Sequence, residues 1–409
     1  RLNFKYCRFI IICAGLLSMA HLANGQQKSP ITNKWGNAET IEVDAEHIEI
    51  FRGYPGAAYS HHPQIVMFRG QLYATWSNGI VGEDNPGQKM LLSVSKNKGD
   101  TWSRPTVLVS PDPGEVAYEV VTSEGLRVYQ DKLIAYCGVY EYTEQPPLSG
   151  NPPERPHTGK AMIPEGATWH QNTRTQIRMS QDGGNSWSPA KTIIKGLVPN
   201  LSPSTTASGR LIIPGNISYP YTDDPAGVSG WKRVGLPRLP EGYVDDPEGF
   251  HKVCRARGDS TKYCEGSFFQ TDDGVIHMML RTSTYRLAVT ESHDNGETWS
   301  EPRMTQYTDC RSRFQFGRLP DGRYFGLSCP KPRSGRTPLI LAASEDGVVF
   351  DRHYVLGKEA AGKPRMRGSH KGGQYGYPYM HIAGKTAYVI YSVRKEDIRL
   401  CRFPLSELK

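Results

Sequence analysis

The chain has 409 residues, a formal net charge of +8, 42 Gly, 30 Pro and 22 Tyr. Apolar residues at 37% and aromatics at 10% suffice to build a core, which excludes a disordered chain, and the density of Gly and Pro excludes a coiled coil. The length allows two or three domains, but a large all-β barrel or propeller of this size is also a single unit.

At the start of the chain, Lys5 and Arg8 precede an apolar run over residues 9–17, and Ala23-Asn24-Gly25 supplies the small residues of a cleavage site. This pattern predicts a signal peptide over residues 1–25 and an exported, soluble protein. Its removal takes Arg1, Lys5 and Arg8 and no acidic residue, which leaves a net charge of +5. No later stretch is long and apolar enough for a membrane helix. Six cysteines remain, too sparse for a disulfide scaffold, so an apolar core must hold the fold.

Residues 41–51 read as a strand that either completes an extra blade or closes a ring against the C-terminal strand near residues 398–403. Between these ends an eight-residue pattern recurs. Ser95-Lys96-Asn97-Lys98-Gly99-Asp100-Thr101-Trp102 returns as Ser180-Gln181-Asp182-Gly183-Gly184-Asn185-Ser186-Trp187 and as Ser292-His293-Asp294-Asn295-Gly296-Glu297-Thr298-Trp299. A degenerate copy begins at Ser344 with Asp346, Gly347 and Phe350. This is the Asp-box, S-x-D-x-G-x-T-W, a hairpin turn. Its carboxylate accepts backbone N–H groups, its Gly takes φ > 0, and its Trp packs between sheets. Its residues are therefore expected to be structural. The copies begin 85, 112 and 52 residues apart, consistent with units of about fifty residues, one of them lacking a box. Further hairpin signals start at Arg69-Gly70, Asp131-Lys132, Ser208-Gly209, Asp272-Asp273-Gly274, Asp321-Gly322 and Gly384-Lys385, each leading into an apolar strand. The expected fold is an all-β, single-domain β-propeller over residues 26–409 with seven blades, or alternatively six. Insertions over residues 143–170 and 222–265 break the rhythm and are expected to shape a binding face.

The Asp-boxes resemble those of the sialidase-like propellers. A narrower resemblance is carried by Tyr59-Ser60-His61-His62-Pro63, by Trp76-Ser77-Asn78-Gly79 with Glu83-Asp84-Asn85, and by Tyr377-Pro378-Tyr379 with residues 391–398. These segments resemble the ulvan lyases of polysaccharide lyase families 24 and 25 and the related rhamnosyl-glucuronate lyases and hydrolases. The resemblance implies β-elimination at a uronic acid linked to rhamnose in an anionic polysaccharide such as ulvan. It also implies a His from the His-His-Pro segment, a Tyr after the second-blade strand and a carboxylate-binding Arg. Elimination needs a neutralised carboxylate, a base for the C5 proton and a proton for the leaving oxygen, and His, Tyr and Arg supply these without a catalytic cofactor. His62 is the expected base or neutraliser, Tyr142 the proton donor and Arg174 the carboxylate clamp, with His61 and Tyr140 as alternates. Tyr219, Arg281, Arg333, His370 and Tyr377 are expected to bind substrate.

Where several lyases of the group carry a second His, this chain has Ile80-Val81-Gly82. A glycoside hydrolase of the same linkage is therefore the alternative. A sialidase would need a nucleophilic Tyr with a Glu partner, an acid Asp and three arginines opened by an Arg-Ile-Pro segment, of which residues 51–55 are a poor version. A non-catalytic carbohydrate-binding propeller is the remaining reading. His251, Cys254 and Cys264 suit a structural Zn²⁺, with His170 or Cys310 as a fourth ligand, or else Cys254 and Cys264 form a disulfide. The expected partner is an anionic glycan and not a nucleic acid, and the expected state is a monomer.

Overall fold

The computed structural model describes residues 30–85, 87–111, 118–142, 171–237, 261–368 and 370–409. The signal-peptide segment, the insertion over residues 143–170, residues 238–260 of the second insertion, and His170, His251 and Cys254 lie outside them. Among the described residues no helix is long and apolar enough to cross a membrane. The single helical element among the described residues is the 3-10 turn Leu405–Glu407.

The described strands form six sheets, consistent with the all-β propeller expected from the repeats. The first blade holds Tyr59–Phe68, Gln71–Gly79, Lys89–Ser95 and Thr106–Val109. Tyr118–Tyr129, Lys132–Tyr142, Gln171–Ser180 and Lys191–Lys195 make the second. The third is reduced to the short strands Ser204–Thr205, Leu211–Ile212 and Tyr221–Thr222. Tyr263–Gln270, Ile276–Thr282, Arg286–Ser292 and Arg303–Thr308 make the fourth. Gln315–Arg318, Tyr324–Ser328, Leu339–Ser344 and Arg352–Gly357 make the fifth, with Glu39–Glu42 added in parallel at its outer edge. The sixth holds Gly376–Ala383, Thr386–Val393 and Asp397–Pro404.

The expected count of seven gives way to its alternative of six among the described residues. The physical reason is the N-terminal strand Glu46–Phe51, which seeds no blade of its own. It pairs antiparallel with Asp397–Pro404 as the outer strand of the sixth sheet. The two ends of the chain thus share one blade, and the apolar residues Ile50, Ile65, Trp76, Ile390 and Leu400 bury the seam between the sixth blade and the first.

The Asp-boxes behave as their chemistry requires. In each of the four, the Ser hydroxyl donates to the Asp or Asn oxygen two residues on, at 2.8–2.9 Å, and accepts the glycine N–H. The glycine must be glycine because it sits at positive φ against the preceding blade: a Cβ on Gly99, at φ +102, would lie 2.8 Å from Leu400 of the sixth blade. That contact closes the ring.

The third blade also contains a box that the sequence pattern hides. Val228 N–H and the Ser229 hydroxyl donate to Asp224 at 3.1 and 2.8 Å, and Trp231 Nε1 donates to the Gly227 carbonyl at 3.1 Å. The turn is longer than S-x-D-x-G-x-T-W, so the spacing conceals it. Gly227 sits at φ +71 under Tyr136 of the second blade.

Candidate active site

Strand direction decides which side chains can meet. In every blade the sheet begins at the central strand and runs outward antiparallel, so the start of the first strand, the end of the second and the loop to the third share one end. The boxes follow the third strands and lie at the other end. His61, His62, Glu265 and Tyr377 open first strands, Tyr140 and Arg281 end second strands, and Glu83, Asp84, Arg336 and Lys395 lie in second-to-third loops. All but His61, which lies behind Tyr377, meet in an open cleft of about 460 Å³ on the propeller axis.

Six residues that line this cleft have left-handed backbones: His62, Asp84, Arg336, His370, Tyr377 and Lys395, with φ between 53° and 62°. Each costs about 1–3 kcal/mol relative to an ordinary conformation, and such strain concentrates at functional sites. His62 and Tyr377 also sit in register shifts, between His61 and Gln64 and between Gly376 and Tyr379. The extra residue of a bulge turns a side chain off the regular alternation, here into the cleft.

At the centre, the Tyr377 hydroxyl donates to Oε1 of Glu265, while Arg281 Nη1 donates to Oε2 of the same carboxylate. Arg281 also lies 3.2 Å from the Tyr377 oxygen. Burial opposes the Glu265 charge, but Arg281 and the bond from Tyr377 outweigh it and hold the carboxyl below its usual value. Burial and the Glu265 charge lift the phenol well above its usual range, against the pull of Arg281. Two further guanidinium groups approach the ring, Arg313 at 4.6 Å and Arg336 at 5.5 Å from its centroid. Arg336 Nη1 is buried with no hydrogen-bond partner among the described residues. A buried donor without an acceptor suits an incoming anion.

Opposite Tyr377 lies a pair of adjacent carboxyls in contrasting states. Burial works against the Glu83 charge, but Lys395, bonded to it at 2.5 Å, and His62 bring it down to about 2. Burial and the Glu83 charge raise Asp84 to about 7, although the Tyr140 hydroxyl donates to it. Neighbouring carboxyls pushed apart in this way supply one fixed charge and one proton that can transfer near neutrality. On the second blade, burial raises Glu124 to about 8 against the charge of Arg313.

The two histidines are neutral. Burial and Lys395 lower His61 well below its usual value, and burial and Arg313 lower His62 to about 3 against the attraction of Glu83. His61 Nδ1 bonds Ser392 at 2.7 Å and its ring lies 3.9 Å from that of Tyr377, so it supports the tyrosine from behind. His62 Nδ1 bonds Ser77 at 3.0 Å, and its other face lines the cleft. Donor atoms of His61, His62 and Glu83 lie within 4.8 Å of one another, a set that could hold a cation. The surrounding Lys395, Arg313 and Arg336 charges oppose one there.

The cleft thus gathers His62, Tyr140, Arg281, His370 and Tyr377 of the residues expected from sequence, with His61 directly behind. Arg174 is elsewhere, committed to Glu119 and to Glu141 at 2.8 Å. Tyr219 is buried in the core against Trp299, and Arg333 is exposed beside Tyr285. Tyr142 ends its strand, and its side chain lies outside the described residues. Cys264 lines the cleft, its Sγ 3.4 Å from Asn216 Oδ1. Sequence reasoning missed Glu265, Arg313, Arg336, Lys395 and Glu124. Glu83 and Asp84 had been read only as part of a resemblance, although adjacent acidic residues in a loop after a central strand are a signal for paired carboxyls.

The fold is similar to that of sialidase β-propellers. Solved structures of this kind include the NanB sialidase from Streptococcus pneumoniae (TM-score 0.61, 13% identity, covering 88% of this chain and 71% of that one). The intramolecular trans-sialidase from Ruminococcus gnavus is similar at TM-score 0.59 and 14% identity, over 88% of this chain and 98% of that one. A protein of unknown function from Dyadobacter fermentans matches at TM-score 0.58 and 16% identity, over 87% and 97%. Among curated proteins no relative matches. The pattern of the BNR repeat-like domain matches residues 160–390, more than half of the chain, and the chain belongs to that family.

Proposed function

We propose that the protein is a retaining glycosidase that removes an acidic sugar from a glycan, with Tyr377 as nucleophile. The observation that carries this reading is the hydrogen bond from the Tyr377 hydroxyl to the Glu265 carboxylate, with Arg281 on both. A phenol is a weak nucleophile until a base takes its proton, and Glu265 is placed to take it. Tyrosine in this role is the known exception to paired carboxylates among glycosidases and is found in sialidases. A sugar with a carboxylate near its anomeric carbon would repel a carboxylate nucleophile, whereas a neutral phenol flanked by Arg281, Arg313 and Arg336 attracts it.

In the first step the Tyr377 oxygen bonds to the anomeric carbon, its proton passes to Glu265, and the glycosidic C–O bond breaks as Asp84 gives its proton to the leaving oxygen. In the second step Asp84 takes a proton from water, whose oxygen displaces Tyr377, and Glu265 returns the phenol proton. Arg281 and Arg336 hold the substrate carboxylate throughout. The sialidase relatives above share this fold, and a terminal sialic acid is the first substrate to test. Such a substrate would be met outside the cytoplasm, in keeping with the signal peptide expected over residues 1–25.

Elimination at a rhamnose-linked uronate, as in ulvan, is the second reading, favoured by the neutral imidazole of His62 in the cleft. A pKa of about 3 makes that imidazole a weak base for a carbon acid. Incubation with a fluorinated sialyl donor followed by peptide mass spectrometry separates the two. A sugar covalently attached to Tyr377 is expected. An unsaturated uronate product from ulvan, detected by ultraviolet absorbance and lost in His62→Ala, would instead establish the lyase.

A further inference from the structure

Arg313 is almost completely buried, yet its charge is poorly matched. Its Nη1 donates to the Asn200 carbonyl, while Nε and Nη2 have no hydrogen-bond partner among the described residues. The nearest carboxylate oxygen, Glu124 Oε2, is 3.8 Å away, beyond hydrogen-bonding distance, and is itself buried without a partner. A buried arginine is ordinarily satisfied by a bidentate carboxylate. Here the pair is held open, and the guanidinium lies over the Tyr377 ring at 4.6 Å instead.

We propose that Arg313 is a positioning residue that stabilises the phenolate form of Tyr377, and that Glu124 gates it. While Glu124 is protonated, the charge of Arg313 is directed at the ring. Once Glu124 loses its proton, it draws the guanidinium into an ion pair and the ring loses that support. The inference rests on Tyr377 acting as nucleophile.

The alkaline behaviour of Glu124 can be read apart from its neighbours. Around Tyr377, Glu265 is held low, Arg281 stays charged, Glu83 lies at about 2, and His61 and His62 are neutral. Burial lowers Lys395 against the attraction of Glu83, and Asp84 lies at about 7. Burial likewise lowers Lys371 against the pull of Glu396, so Asp84, Glu124, Lys395 and Lys371 are the cleft groups placed to titrate between neutrality and alkali. A substrate with an aryl leaving group needs no proton from Asp84, which removes that limb from the rate profile.

The test has an arm that requires no turnover. The infrared carbonyl band of a neutral carboxylic acid, taken as the difference between the full chain and Glu124→Gln, is expected at neutral pH and should disappear above about pH 8. Its absence at neutral pH would overturn the proposal whatever reaction the protein performs. In the kinetic arm, aryl sialoside turnover should fall about tenfold from neutral to alkaline pH in the unmodified protein and stay flat in Glu124→Gln. Arg313→Met should be slow at every pH. An unchanged alkaline limb in Glu124→Gln would assign it to a lysine of the cleft, Lys395 or Lys371, and refute the gate. Failure of the nucleophile reading would be seen separately, as no sugar on Tyr377.

Discussion

The two ends of the propeller solve opposite problems with the same hairpins. At the box end the turn carboxylates are spent locally: Asp294 accepts from Ser292, Glu297 and Thr298 within four residues, and Asn295 and Gly296 take the left-handed turn. At the cleft end, left-handed conformations fall on His62, Asp84, Arg336, Tyr377 and Lys395, which gain nothing locally from them. Their partners lie far along the chain: Tyr377 to Glu265 spans 112 residues and Lys395 to Glu83 spans 312. Left-handed residues occur at both ends, Lys98 and Asn295 among them in the boxes, but at the box end they close a tight turn and at the cleft end they converge charges, which is the pattern expected where structure is maintained for chemistry.

The largest effect that this contrast predicts is at Tyr377. Tyr377→Phe removes one oxygen from a buried ring and should lower glycoside turnover by about 10³–10⁴-fold while leaving the thermal midpoint close to that of the parent. Retained turnover would break the comparison, because the cleft end would then hold no nucleophile. Next in size is Asp84→Asn, with an expected loss of about 10²–10⁴-fold on a glycan leaving group and little on an aryl one. Asp84 must be protonated to act as the acid. Turnover of the parent on a glycan should therefore fall as pH rises through about 7, and this limb should be absent in the variant.

What was legible from sequence follows the same division. The boxes could be read because their chemistry closes within eight residues, and this was enough to obtain the all-β propeller. The blade count was harder, because the third box is stretched around Asp224 and because Glu46–Phe51 chooses its partner at the far end of the chain. His62, Arg281 and Tyr377 were found as members of motifs or from their place near boxes. Glu265 was not, because the partners that give it a role, Arg281 and Tyr377, lie 16 and 112 residues away. Nor was Arg313, whose environment depends on Asn200, Glu124 and Tyr377 from three other blades. Arg174 shows the converse: it opens a strand as a clamp should, but Glu119 and Glu141 already occupy its charge.

A smaller effect appears in stability. Asp84 and Glu124 have folded pKa values raised to about 7 and about 8, above the ordinary carboxylate values of the unfolded chain. Such groups stabilise the fold fully below their unfolded pKa, and that contribution is lost as pH rises through the folded one. Unfolding free energy from denaturant titration should therefore decline from about pH 4, where these carboxyls ionise in the unfolded chain, to about pH 8, by at most about 1.4 kcal/mol per pH unit for each group. Asp84→Asn should remove the contribution that ends near pH 7, and Glu124→Gln the one that continues to about pH 8. A flat profile in the parent would mean that the cleft end stores no such electrostatic cost.

The smallest predicted effect tests the box end, where the claim is that residues serve the fold alone. Asp294→Ala deletes an acceptor for two backbone N–H groups and the hydroxyls of Ser292 and Thr298. The turn is exposed, so water can replace part of what is lost, and the cost should be about 1–2 kcal/mol with turnover unchanged. Asp224→Ala is the sharper case, because its box was invisible in the spacing. Asp224 accepts from Ala226, Val228 and Ser229, and the turn it shapes places Gly227 against Tyr136 of the neighbouring blade. If it is a true Asp-box, its loss should match that of Asp294 within about 0.5 kcal/mol, and the two should add in the double variant because they lie in different turns. A loss confined to Asp294 would show that the third blade is held by its apolar contacts, with the buried Leu211, Ile212 and Ile213 in place of a box, and that the ring has one joint of a different kind.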